Sequence, residues 1–418
     1  MKNKNPYLFA FALITTLFFL WGFAHNLDPI LIPHLKKSFT LNTTQATLVD
    51  SAVFIAYFIM ALPAGFIMKK FGYKSGIILG LVLFAIGSFL FVPAANNQSY
   101  NFFLVALFII ACGLTILETA ANPYAALLGD PKTSVQRLNL AQSFNGLAAA
   151  LAPVIGGYLI FTKGKTEAEL NLLSESARKI ALASEASTVK MPYIILGIVL
   201  ILIAIIFGFT KLPTIKNEAK KESSKTVFHA LKHKHLSWAV VAQFFYVGAQ
   251  VSVFSLFILY ATKAANIDEH TAAIYLSACG FAFLVGRFLG TFLMRFIQPS
   301  LLLSIYAVIN ILLCIVAIVG TGMITVYSII GICFFMSIMF PTIFSLGIKN
   351  LEGDTEYGSS LIIMSIVGGA ILPRAFGIIS DAYNNIQIGY IIPLVCFLVI
   401  FYFGMKGYKI QESKNLKS

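Results

Sequence analysis

The sequence predicts an all-α membrane protein, with twelve transmembrane helices arranged as two pseudo-symmetric bundles of six. Three observations carry that prediction. Of the 418 residues, 58% are hydrophobic and only 11% charged, and the mean hydropathy is +0.85. A water-soluble domain has about a quarter of its residues charged. Uninterrupted apolar runs such as 194–209, 301–319 and 391–405 approach the roughly 20 residues that cross hydrocarbon as a helix. Glycines, prolines and cations also recur at nearly one spacing in the two halves of the chain.

Breaking the apolar runs at Gly, Pro and charge gives helices over 7–35, 46–68, 75–95, 101–128, 137–162 and 190–211. A second set covers 237–262, 271–294, 300–320, 323–349, 357–381 and 386–406. The first run is too long for a secretory signal and lacks a small-residue cleavage pattern, so it reads as a membrane helix. The domains follow: an N-terminal six-helix bundle over 1–212, a cytoplasmic linker over 213–235 and a C-terminal six-helix bundle over 236–418. With the N-terminus inside, twenty of the thirty Lys and Arg fall in inner segments and eight in outer ones. The positive-inside rule then places both termini in the cytoplasm. The formal charge of +13 is thereby a property of the inner face, and needs no nucleic-acid partner.

Several function classes drop out. Cys112, Cys279, Cys314, Cys333 and Cys396 all sit inside apolar runs, with neither a disulfide framework nor metal-ligand spacing. His229, His233 and His235 lie among cations, which would repel a divalent ion, so no metal and no cofactor is expected. No metalloprotease, nucleophile-elbow or phosphate-loop motif is present, which argues against an enzyme. A transporter, expected to work as a monomer, is the class that remains.

Internal repeats point the same way. Gly65 precedes Lys70-Phe71 as Gly290 precedes Arg295-Phe296. Gly113 and Pro123 lie ten apart, as do Gly331 and Pro341, and Gly146 pairs with Gly368. The offsets are 225, 218 and 222 positions. Parallel six-helix repeats are the arrangement of the major facilitator superfamily. The stretch Gly65-Phe-Ile-Met68-Lys69-Lys70-Phe-Gly72-Tyr-Lys74 resembles that superfamily's loop signature, with Met68 in place of the usual Asp. Lys70, Gly72, Arg287 and Arg295 are therefore candidate gating residues.

An ionisable side chain at membrane depth costs about 2.5 kcal/mol or more and marks function by default. Asp28, Glu118, Arg287 and Arg374 qualify. Glu118 stands near mid-helix with Asn122 one turn on. A carboxyl there can hold or release a proton according to what faces it, which suits proton coupling. A structural carboxyl is the alternative. Arg374 either faces the central cavity or snorkels to a helix end. Gln142 and Asn145 share one helix face, as do Gln243 and Gln250. Such amides match neighbouring hydroxyls, or glue helices together. Trp21 offers a flat surface for an apolar sugar face.

The strings Phe18-Phe-Leu-Trp21, Leu117-Glu118-Thr-Ala-Ala-Asn122-Pro123, Arg137-Leu-Asn-Leu-Ala-Gln142-Ser-Phe-Asn145 and Gln243-Phe-Phe-Tyr-Val-Gly-Ala-Gln250 resemble the fucose:proton symporter family, as does Phe340-Pro-Thr-Ile-Phe-Ser-Leu-Gly-Ile-Lys349-Asn. The resemblance runs from about Leu8 to Met405. It implies the major facilitator fold, alternating access and proton-driven uptake of a monosaccharide across a bacterial inner membrane. L-fucose is the first candidate substrate, with glucose, galactose or an amino sugar next. Export of another small molecule fits less well, because the cavity candidates are amides. The resemblance assigns Glu118 to sugar binding and proton exchange, and Asn26, Gln142 and Asn145 to the cavity lining. One departure stands out. The family's first helix reads Asn-Leu-Asn-Asp, where this chain has Asn26-Leu27-Asp28-Pro29. Asp28 either substitutes for that coupling acid or leaves Glu118 to act alone, and sodium stays open as the coupling ion.

Overall fold

The computed structural model describes residues 6–25, 35, 38–39, 48–161, 172–213 and 227–410. Every regular element among them is helical, as expected where the backbone must satisfy its own hydrogen bonds in hydrocarbon. The first span, α1, is Pro6–His25. Leu48–Asn96 is continuous except at Gly72, whose φ of 81° reverses the chain. It divides there into α2 (48–71) and α3 (73–96). A side chain at that φ would be strained, which is why a glycine stands at the turn. Next come α4, Tyr100–Leu127, N-capped by Ser99, α5, Ser134–Phe161, and α6, Lys190–Phe209. A short polar helix, Glu175–Ser187, precedes α6.

The second half repeats the plan. Its α7 is Lys234–Ser255, continued past Leu256 by Phe257–Ala265. Then follow α8, Glu269–Leu293, α9, Pro299–Val319, α10, Met323–Gly347, α11, Thr355–Ala382, and α12, Ile386–Gly407. The structure breaks α10 at 337–338 and winds α11 as a 3-10 turn over Ser365–Val367. These interruptions are invisible in the apolar pattern, which reads each span as one run.

Helix neighbours establish the pseudo-symmetry. In the first half α1 packs on α5, α2 and α3 on α4, and the Leu48–Asn96 pair on α6. In the second, α7 packs on α11, α8 and α9 on α10, and α9 on α12. A finer correspondence emerges at the α1–α5 and α7–α11 crossings. A Cβ at Gly22 would meet Asn145, and one at Gly248 would meet Leu372. Both members of these pairs are shifted by nearly the same number of positions. The small residues let backbones approach where hydrocarbon supplies no hydrophobic drive.

The halves meet through α2 with α11, α4 with α11, α5 with α8 and α5 with α10. Their polar contacts gather at the end bearing the α2–α3, α4–α5, α8–α9 and α10–α11 turns. Ser134 and Ser345 hydroxyls lie 3.1 Å apart. Gln136 donates to the Met294 carbonyl, Asn139 to Thr342 at 3.2 Å, and Ser359 to the Thr119 carbonyl at 2.9 Å. This end of the bundle is closed.

Candidate functional site

Glu118 sits in α4, where every residue from Ile110 to Ala126 is buried. It is 3% exposed, and the Tyr57 side chain of α2 hydrogen-bonds it. Asn122, one turn further, donates to the Glu118 carbonyl at 2.9 Å. Gln142 of α5 donates to Asn122 Oδ1 at 2.9 Å. Helical spacing thus puts the carboxylate and the first amide on one face, and the α4–α5 contact brings in the second. The result is a buried carboxyl and two amides inside the bundle. Together they offer a group that can trade a proton and several donors and acceptors for a hydroxylated ligand.

Arg287 of α8 completes the group from the other half. It is 4% exposed. Its Nη1 donates to the Gln142 carbonyl at 2.8 Å and its Nε to the Ser337 carbonyl at 2.8 Å. The guanidinium lies 4.5 Å from the Phe283 ring centroid. No carboxylate forms an ion pair with it among the described residues. A fork of fixed donors suits two carbonyls on different helices better than a point charge would. The gating residue predicted from sequence is therefore a tether between halves at the depth of the candidate site.

The other predicted residues scatter. Asn145 is half-buried against Gly22. Trp21 is buried and its ring lies 5.4 Å from that of Phe18. Gln250 is half-buried on α7, while Arg374 is exposed on α11. No hydrogen bond or ion pair joins either of these two to the Glu118 group among the described residues. Asn26 and Asp28, and with them the Pro29 departure, lie outside the described residues. Lys70 lies over Phe66 and Phe71 of its own helix at 5.9 and 5.3 Å, and Arg295 over Phe292 at 5.7 Å. At the α2–α3 turn Lys69 reaches the other half instead, 4.3 Å from the Tyr357 ring.

Two further features escaped the sequence reading. Tyr57 is a lone tyrosine in an apolar run, and nothing in its spacing marks it. Gln243, which the sequence marks only by its spacing from Gln250, is fully buried, and among the described residues neither its side-chain polar atoms nor the nearby Tyr246 hydroxyl finds a hydrogen-bond partner. Lys74 was read as part of the inner loop. It caps the end of α6, donating to the Gly208 and Thr210 carbonyls at 2.7 and 3.0 Å. Arg137 does the same for α4 through the Ala125 and Ala126 carbonyls. Cations that end a helix satisfy its orphan carbonyls.

Comparison with known proteins follows this geometry. The model of the Major Facilitator Superfamily matches residues 8–372. The L-fucose-proton symporter of Escherichia coli (strain K12) is 42% identical over 99% of this chain and 96% of its own. The glucose/galactose transporter of Brucella abortus biovar 1 (strain 9-941) is 40% identical over 98% of this chain and 96% of its own. A crystal structure of a major facilitator superfamily transporter in the outward conformation superposes with a TM-score of 0.89 at 42% identity, covering 96% of this chain and 99% of the other.

Proposed function

This chain belongs to the major facilitator superfamily, and we propose that it imports a monosaccharide, L-fucose first, by proton symport with alternating access. It is a multi-pass membrane transporter and not an enzyme. The observation that carries the reading is Glu118, a carboxyl buried at the centre, held by Tyr57 and continued by Asn122 and Gln142. Proton coupling needs a group whose protonation changes with what it faces, and a sugar needs paired donors and acceptors beside it. The two chemistries share one group of residues here. Glucose or galactose is the second reading, favoured by the 40% identity to a transporter of those sugars.

In this reading the domains divide at the 213–235 linker and both termini lie in the cytoplasm of a bacterial cell. The closed end then faces inward, and the site is reached from outside. Protonation of Glu118 and sugar binding favour occlusion. The halves rock, the contacts of Arg287, Lys69 and the α5–α10 hydroxyls part, and the proton leaves toward the cytoplasm.

The test is external pH in a lightly buffered, de-energised suspension of cells expressing the chain. Separate anaerobic pulses of L-fucose, D-galactose, D-glucose and N-acetylglucosamine are given. Alkalinisation with L-fucose is expected; alkalinisation with galactose or glucose alone selects the second reading. Entry of labelled sugar with no pH change under any pulse overturns proton coupling.

A further inference from the structure

Two of the linker histidines, which the sequence places among cations, converge on one buried carboxylate. His229 sits in the short helix Val227–Ala230, and His233 immediately precedes α7. His229 Nδ1 lies 3.3 Å and His233 Nε2 3.4 Å from the same oxygen, Asp354 Oδ2. The Asp354 side chain is 8% exposed, whereas the histidine side chains are 45% and 36% exposed. In the first turn of α7, His235 Nε2 lies 2.9 Å from the Lys349 carbonyl. The beginning of the second half is thus fastened to the loop between α10 and α11.

That loop leads directly into the closed end. Asp354 is the residue before α11. Within six residues of it come Tyr357 beneath Lys69, Ser359 on the Thr119 carbonyl, and Ser360 against Gly65. Any force on Asp354 is therefore a force on the contacts that hold the halves together.

We propose that His229, His233 and Asp354 form a latch that protons close, through which acid at the closed end of the bundle slows its opening. Histidine is the side chain whose charge changes between pH 5 and 8. Two imidazolium ions beside a buried carboxylate attract it, and two neutral imidazoles only hydrogen-bond to it. The added hold is therefore present when the imidazoles carry a proton and is lost when they do not. The surrounding charges do not reverse that sign. Lys232 and Lys234 flank His233, Lys349 follows the end of α10 and Lys69 comes from α2; all are cations. His235 is held on the Lys349 carbonyl. Glu356 of α11 interacts with Tyr73 of α3. On the transport reading, the device makes the carrier sense the acid it delivers.

Two measurements test the latch. In proteoliposomes of known orientation, sugar exchange is followed while pH falls from 7.5 to 5.5 on the side of the closed end alone. Exchange by the full chain is expected to slow roughly five-fold, the scale of two partly exposed ion pairs. In the double variant His229→Gln, His233→Gln it stays at the fast rate throughout. In His233→Arg, which carries a permanent cation, it is slow even at pH 7.5. The melting temperature of the detergent-purified chain needs no sugar, so it separates failure of the latch from failure of the transport reading. The native chain is expected to exceed the double glutamine variant at pH 5.5 and to match it at pH 8. Equal pH dependence of native and double variant in both measurements overturns the proposal.

Discussion

The two halves share a fold and divide the chemistry. Pro123 and Pro341 occupy matching places in α4 and α10. In that register Glu118 corresponds to Met336, and Asn122 to Phe340. In the register of the Gly22–Asn145 and Gly248–Leu372 crossings, Asn145 corresponds to Leu372. The second half thus has apolar side chains where the first has a carboxyl and amides. The cation reverses the pattern. In the register of Gly65 and Gly290, Arg287 corresponds to Leu62. Duplication explains the scaffold, because glycines and prolines at helix crossings serve packing in both copies. It does not explain the site. One half holds the titratable group, and the other supplies the donor fork that reaches it.

The largest effect follows from removing the group that only the first half has. Glu118→Gln keeps the shape and the hydrogen-bonding capacity of the side chain but cannot exchange a proton. Concentrative uptake should fall by about 100-fold or more, whereas exchange of labelled for unlabelled sugar survives, because exchange needs no net proton movement. Persistent accumulation driven by a pH gradient in this variant would show that the coupling acid lies elsewhere. Asp28 would then be the residue to examine.

A smaller effect is expected from the cation that only the second half has. Arg287→Lys retains charge but cannot serve the Gln142 and Ser337 carbonyls together. At least one buried acceptor loses its donor, at about 1–3 kcal/mol before relaxation. The variant should melt several degrees lower in detergent and open its closed end more readily. The measurements are thermal unfolding and the alkylation rate of a cysteine placed on α5 beside Gln136. A melting point and an alkylation rate like those of the native chain would mean that Arg287 is no tether.

How much of this was legible in the sequence differs between fold and site. Twelve spans could be read because hydrocarbon demands long apolar runs, and Gly113 and Gly331 marked matching crossings, α4 on α3 and α10 on α9. The turn at Gly72 could be suspected from its glycine. The breaks at Ser337 and Ser365 could not, since residues that interrupt a helix without charge or proline leave the hydropathy unchanged. Within the site, Glu118 announced itself by its cost, and Asn122 by its spacing from it. Gln142 could be placed on a helix face but not against Asn122, because that requires the α4–α5 packing. Tyr57 gave no signal at all. Lys69 and Lys70 are adjacent and equally basic, and only the direction of each side chain tells the one that reaches the other half from the one that lies on its own helix. Asp354 was invisible for a similar reason: an acid in a loop reads as solvated until its burial is known.

The least costly difference between the halves lies at the starts of α4 and α10, and it discriminates between a shared sequence rule and a shared backbone. Ser99 caps α4 in an extended conformation, its Oγ accepting from the Phe102 amide at 3.3 Å. At the corresponding start of α10 stands Gly322, at φ 62° with no side-chain cap. Ser99→Ala should cost about 1 kcal/mol, the usual worth of such a cap. Serine is the better capping residue in general, so propensity alone says that Gly322→Ser stabilises. The backbone says otherwise: at positive φ a Cβ is strained by roughly 1–2 kcal/mol, and the new hydroxyl starts from the wrong conformation to reach the third amide. Both substitutions should therefore lower the melting temperature by a similar small amount. A rise with Gly322→Ser would mean that α10 can adopt the extended cap of α4, and that the two halves are closer in local structure than their present backbones are.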